Sequence, residues 1–127
     1  MAGSKNVLII EDDPLIKDLY RMALANADYV VETAESAEEA YSKLTTFHPD
    51  FIFLDVMLPG TSGLEILKEL RSNEEHGCIK TSIVILTNLA QRSVADFAME
   101  NGADGFIIKA DMLPKDLPNV IVSLQEG

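Results

Sequence analysis

Four short apolar runs in this sequence each end on residues able to do chemistry. Val7–Ile10 runs into Glu11, Asp12 and Asp13, and Phe51–Leu54 runs into Asp55. Ile83–Leu86 ends at Thr87, and Phe106–Ile108 ends at Lys109. Singly, each has an ordinary explanation. Asp13 before Pro14 reads as a helix cap, a threonine at a strand end as a turn residue, and a lysine there as a solvated one. Together they describe a site, provided the fold gathers the four ends on one edge. Three or four carboxylates would then share a crevice with a hydroxyl and an ammonium. Like charges so placed repel unless something compensates them. A divalent cation is the natural compensator, and an all-oxygen ligand set selects Mg²⁺ or Mn²⁺. Cation, ammonium and hydroxyl can each bond a different equatorial oxygen of a phosphoryl group. An aspartate can itself be the nucleophile, forming an acyl phosphate. Asp55 is the best-placed candidate, because it ends a central apolar run opposite the acids of the first.

Helical segments separate these runs. Pro14 opens the first, with Leu15, Ile16, Leu19, Met22, Ala23 and Ala27 at helical spacing. Ser36 with Glu39, and Ser62 with Glu65, have the spacing of capping boxes. Ala37, Ala40, Tyr41 and Leu44 form the stripe behind the first of these, and Leu64, Leu67 and Leu70 the stripe behind the second. Tyr29–Thr33, with Glu32 inside it, reads as a weak edge strand, and polar Ser72–Lys80 as a loop. Val94, Phe97 and Ala98 mark a fourth helix closed by Asn101-Gly102. Leu117, Val120, Ile121 and Leu124 mark the last, which starts near Leu117 because Pro118 would break it internally.

The pattern is five βα units, an α/β fold. Alternating strands and helices imply a parallel sheet with helices on both faces, and continuous apolar strands fit that burial. The flavodoxin-like order 2-1-3-4-5 meets these constraints with the weak second strand at an edge; the order is adopted from known doubly wound folds. Ligands of such sheets bind beyond the carboxyl ends of the strands, at the switch point. That is where the acids, the threonine and the lysine fall.

Composition narrows the function. The 127 residues are expected to form a single domain, since domains cluster near roughly 100–150 residues. Residues 1–5 are expected to be a flexible N-terminal segment. A composition of 47 % hydrophobic and 24 % charged residues excludes disorder and collagen. No apolar run approaches the roughly 20 residues of a membrane helix, and no signal peptide is visible. The formal net charge of −11 repels phosphate backbones, so direct nucleic-acid binding is not expected. Cys78 is the only cysteine, which fits a reducing, cytoplasmic compartment. His76 and Cys78 lie close in sequence, but zinc wants four soft or imidazole ligands, so a loop turn is expected there.

The residues resemble the receiver domains of two-component response regulators over essentially the whole chain, Lys5 to Leu124. The resemblance rests on Val7-Leu8-Ile9-Ile10-Glu11-Asp12-Asp13-Pro14, on Phe51 through Gly60, on Ile85-Leu86-Thr87 and on Ile107-Ile108-Lys109. It implies that Asp55 is the phosphoacceptor. It also implies that Asp12 binds Mg²⁺ directly, that Glu11 acts on it through water, and that the Met57 backbone carbonyl completes the ligands. Thr87 is then the switch hydroxyl, Lys109 the cation pairing with the phosphoryl group, and Phe106 the switch aromatic. The implied donor is the phosphohistidine of a sensor kinase or phosphotransfer protein. Output would run to an effector protein through the fourth helix, fifth strand and fifth helix, from a monomer or a phosphorylation-dependent dimer.

Three positions depart from the family's pattern. Ala110 stands where proline after a cis peptide is usual, and a cis bond to a non-proline residue costs roughly 2.5–4 kcal/mol. The loop is therefore expected to be either trans and rearranged, or strained. Asn88 follows Thr87 where a small residue is usual, and Phe106 lacks the hydroxyl of the usual tyrosine. Ala110 and Asn88 motivate an alternative, a pseudo-receiver serving as an interaction scaffold without phosphorylation. A phosphohydrolase with an aspartyl nucleophile is disfavoured, since Asp55-Val56-Met57 lacks the second acid such enzymes need.

Overall fold

Strand residues here are apolar on both faces because helices cover both. The structure is a computed structural model and describes residues 5–126. Apart from Lys5, the expected N-terminal segment lies outside the described residues. The strands are β1 (Asn6–Ile10), β2 (Val30–Ala34), β3 (Phe51–Leu54), β4 (Ser82–Thr87) and β5 (Gly105–Ile108). The helices are α1 (Pro14–Asn26), α2 (Ala37–Lys43), α3 (Gly63–Ser72), α4 (Arg92–Glu100) and α5 (Leu117–Glu126). All strand pairs are parallel, in the order β2-β1-β3-β4-β5 that the sequence predicts.

Alternate residues of each strand enter opposite cores, as the two-residue repeat requires. Leu8, Ile10, Ile52, Leu54, Ile83 and Ile85 pack with α2, α3 and α4 through Ala40, Leu67 and Ala98. Val7, Ile9, Phe51, Phe53, Val84 and Leu86 pack on the other face with α1 and α5, through Tyr20, Leu24, Leu117 and Ile121. β2 carries half-exposed Glu32 at the sheet edge, as expected.

The α1 stripe is a correction. Of the residues at helical spacing, Leu15, Leu19 and Met22 are 68 %, 42 % and 51 % exposed. The buried pair is instead Tyr20 and Leu24, backed by half-buried Ile16. Both sets have helical spacing, and only the sheet decides which one faces inward. Capping also differs in detail. Asp13 caps α1 by accepting from the Leu15 and Ile16 amides at 2.9 and 3.2 Å, as expected. Ser36 accepts from the Glu39 amide, but the Glu39 carboxylate returns to the Glu35 amide rather than to Ser36. Ser62 accepts from Leu64, with no reciprocal bond from Glu65 among the described residues. Pro118 sits at the second position of α5, where a missing N–H is harmless.

The segment expected as loop, Ser72–Lys80, contains a 3₁₀ turn at Glu74–His76. Arg71 ties this segment to the start of β4 and to the loop before β5. Its guanidinium donates to the carbonyls of Cys78, Ile79, Thr81 and Gly102 and to Asp104 Oδ2, at 2.7 to 3.1 Å. Buried Cys78 and the His76 ring meet no metal cluster among the described residues. His76 instead bonds Glu69 at 2.8 Å and stacks on Tyr41.

Candidate functional site

The sheet's own hydrogen bonds carry the acids to their places. The Glu11 amide continues the ladder to the Ala34 carbonyl at 2.9 Å, and the Asp55 amide continues it to Ile10 at 3.0 Å. Glu11 and Asp55 therefore leave adjacent strands side by side. β4 and β5 end in register, with Thr87 opposite Ile108, so Lys109 emerges beside Thr87. Carboxylate oxygens of Glu11, Asp12 and Asp55 all lie within 4.8 Å of one another. Asp13, the fourth acid of the set, serves as the α1 cap, and its own amide donates to Glu11 Oε2 at 3.1 Å.

Lys109 closes this cluster from the β5 side. Its ammonium donates to Asp55 Oδ2 at 2.6 Å and forms an ion pair with Glu11. The three side chains are 10 %, 5 % and 3 % exposed respectively, so the pairs are formed away from bulk water. Asp55 Oδ1 accepts from the Met57 amide at 3.1 Å. Burial pushes the Glu11 carboxyl above its ordinary value, and the contacts to Lys109 and the Asp13 amide offset this only in part. Burial alone would lower the Lys109 ammonium, but its bonds to Asp55 and Glu11 outweigh that and hold it above its ordinary value.

These residues fit a hard divalent cation. Three carboxylates face one ammonium, which leaves a surplus of two negative charges if all are ionised. The Lys109 ammonium is shared between Glu11 Oε1 and Asp55 Oδ2, so one cation serves two buried carboxylates. The all-oxygen donor set is that of Mg²⁺ or Mn²⁺. Asp12, the exposed member, faces solvent where a cation and its waters would enter.

The family model described as "Response regulator receiver domain" matches residues 7–121. The chain belongs to that family. Transcriptional regulatory protein ResD of Bacillus subtilis is 32 % identical over 85 % of this chain, and this chain covers 43 % of ResD. The chain thus spans under half the length of several curated relatives, with 46 % and 38 % for two more. Polar-differentiation response regulator DivK of Brucella ovis is 29 % identical over 92 % of this chain and 94 % of its own. Among solved structures, the chemotaxis response regulator CheY4 of Vibrio cholerae superposes with a TM-score of 0.85 at 27 % identity, covering 96 % of this chain and 99 % of that one.

The remaining receiver positions are also placed. Thr87 is fully buried at the end of β4, and its hydroxyl accepts from the Leu89 amide at 3.3 Å. Phe106 is half-buried against the α2–α3–α4 core. The Lys109–Ala110 peptide is trans. No peptide among the described residues is cis, and Lys109–Asp111 forms a 3₁₀ turn. Lys109 still reaches Asp55 from that turn, and the Ala110 amide donates to Asn88 Oδ1 at 3.0 Å.

Gly63 is the residue that sequence reasoning missed. A Cβ there would lie 2.0 Å from the Asp55 carbonyl oxygen and 2.8 Å from Val56 Cα. The first turn of α3 rests directly on the backbone of Asp55, and the Gly63 amide donates to the Val56 carbonyl at 2.9 Å. The available signal was a glycine just after the Ser62 cap, where it costs helix stability without an obvious return.

Proposed function

We propose that this receiver accepts a phosphoryl group on Asp55, from the phosphohistidine of a sensor kinase or phosphotransfer protein, in a Mg²⁺-dependent reaction. The observation that carries this reading is the buried Asp55–Lys109–Glu11 cluster with Asp12 beside it and Thr87 at the adjoining strand end. Asp55 retains nucleophilic lone pairs, because each carboxylate oxygen has about two and each is engaged by one donor here. One of these oxygens forms the new P–O bond as the P–N bond of the donor breaks. The electron pair leaves on the imidazole nitrogen, which takes a proton from solvent. Glu11, Asp12, Asp55 and the Met57 carbonyl would hold Mg²⁺, which, when bound, neutralises charge on the phosphoryl oxygens. Lys109 bonds one phosphoryl oxygen, exchanging its contact with Asp55 for it. Thr87 turns its hydroxyl to another, and Phe106 moves with it. The changed surface of α4, β5 and α5 then meets an effector protein. Among the apolar side chains of α4 and α5, Phe97 and Val122 are 37 % and 43 % exposed. Among the described residues no helix is long and apolar enough to cross a membrane, and the reading places the chain in the cytoplasm.

The test is incubation with Mg²⁺ and acetyl phosphate. One phosphoryl mass is expected on the wild-type chain and none on Asp55→Asn or after chelation. Absence of any labile adduct on a folded, metal-loaded chain favours the pseudo-receiver instead. Ala110 and Asn88 motivate that alternative, but neither pulls Lys109 away from Asp55.

A further inference from the structure

The two departures that look unrelated in sequence meet in the fold. Thr87 and Ile108 are the last registered pair of β4 and β5. Just beyond them, the Asn88 side chain spans the gap and accepts from the Ala110 amide at 3.0 Å. Among the described residues no other side-chain hydrogen bond joins the segments 88–91 and 109–112. A proline at position 110 would have no N–H to give, and a small residue at 88 would have nothing to receive it. The bond therefore needs both departures, an N–H at 110 and an acceptor at 88.

We propose that Asn88 is a positioning residue for Lys109. Its amide oxygen fixes the turn at Lys109–Asp111, so that the Lys109 ammonium is presented to Asp55. The turn has few other anchors: the Met112 amide closes it on the Lys109 carbonyl at 3.2 Å, and Ala110 and Asp111 are exposed. Lys109 has a long side chain with much rotamer freedom, so a loose backbone beneath it would leave the ammonium spread over many positions. The tether also joins the loop that comes after Thr87 to the loop that carries Lys109. Two groups assigned to the phosphoryl oxygens are thus linked through their neighbours. Asn88 does not touch the reacting atoms, and its effect passes through the backbone of Ala110. This inference rests on Asp55 being the acceptor.

Two readouts on the full chain test it. The first is hydrogen exchange at the Ala110 amide, with no donor present. The second is the rate of Asp55 phosphorylation by acetyl phosphate with Mg²⁺. Asn88→Ala is expected to abolish the protection of Ala110 and to slow phosphorylation about fivefold, the worth of one net hydrogen bond. Asn88→Asp keeps an acceptor oxygen and is expected to restore the protection of Ala110. In a Lys109→Ala background, Asn88→Ala should slow the reaction no further, because there is no ammonium left to position. The proposal is overturned if Asn88→Ala reacts at the wild-type rate, or if it slows the reaction equally with and without Lys109. A folded wild-type chain that takes no phosphoryl group at all overturns the acceptor reading, and this inference with it. Wild-type reactivity combined with an indifferent Asn88 overturns this inference alone. Asn88 is exposed in a loop, and matching circular dichroism spectra establish that each variant is folded.

Discussion

Replacing Gly63 by alanine should damage both the stability of the chain and its reactivity, although it adds one methyl group. The new Cβ would start 2.0 Å from the Asp55 carbonyl oxygen, against a limit near 3.0 Å for real contacts. Either α3 or the Asp55 backbone must therefore retreat by about 1 Å, because neither partner is a flexible side chain. Overpacking of this kind costs about 1–3 kcal/mol, and a backbone-on-backbone clash belongs at the upper end. Alanine in place of glycine returns about 0.5 kcal/mol of helix propensity, the low end of the interior value, because Gly63 is the first residue of α3. The net expectation is a loss of about 2 kcal/mol, or about 8 °C in Tm for a domain of this size. The effect on chemistry should exceed the effect on folding. Misplacing a reacting group by about 1 Å can cost roughly a hundredfold in rate, and the carboxylate that moves is the proposed nucleophile. Urea melts and acetyl phosphate kinetics on the same preparation measure the two losses. Gly105→Ala is the control, since its Cβ would meet only Val84 at 3.6 Å, and it should keep nearly wild-type values. A Gly63→Ala chain with unchanged melting and unchanged rate would refute the claim that α3 rests on the Asp55 backbone.

Two more outcomes come from local chemistry. Asn73 and then His76 hold the Glu69 carboxyl below its ordinary value by hydrogen bonding. A lowered carboxyl stabilises the fold above its unfolded-state pKa, and that stability is lost as pH falls through the lowered one. Asn73→Ala should therefore raise the Glu69 titration, followed by carboxyl NMR, and should lose less stability than wild type between pH 5 and acid; an unmoved Glu69 titration would contradict the assignment. Met57 and Leu89, whose amides bond Asp55 and Thr87, carry apolar side chains that cannot orient an attacking water. Polar side chains at both positions should hasten loss of the phosphoryl group by about tenfold, less than the roughly hundredfold a positioned general base supplies. Decay of labelled phosphate from the two proteins measures this, and equal lifetimes would remove the side chains from the account.

Much of the site was legible because strand ends are legible. A run buried on both faces is continuous in sequence, so its last residue is visible, and in a parallel sheet all such ends lie on one edge. Asp55 and Lys109 were legible as strand ends on one edge, and the adopted strand order put one strand between them. The α1 stripe was less legible, because that helix is apolar over much of its circumference. Leu15–Leu19–Met22 and Ile16–Tyr20–Leu24 are equally periodic, and the choice between them belongs to the packed sheet. Gly63 was not legible, because its constraint is the backbone of Asp55, which no local pattern encodes. Asn88 and Ala110 were visible only as two separate irregularities, since their distance in sequence hides the bond between them.

That bond bears on how the site tolerates its own charge. The chain carries 21 acidic residues against 10 basic ones, and a phosphoryl donor is itself an anion. Approach from afar is opposed by this surplus, although at physiological salt the opposition reaches only about 8 Å. What decides reaction is the charge at the last contact, inside the screened radius. There the one ammonium in contact with the carboxylates is Lys109, and it already serves two of them, Glu11 and Asp55. If Asp55 is the acceptor, as proposed, a phosphoryl group would take Lys109 from its present partners. It can do so at little cost only if a cation meanwhile satisfies the carboxylates that Lys109 leaves. Cation and lysine are thus not two independent contributions. On the proposed reading, a bound cation would satisfy Glu11 and Asp55, so that Lys109 could turn outward to a phosphoryl oxygen within the limit that a turn held by Asn88 would set.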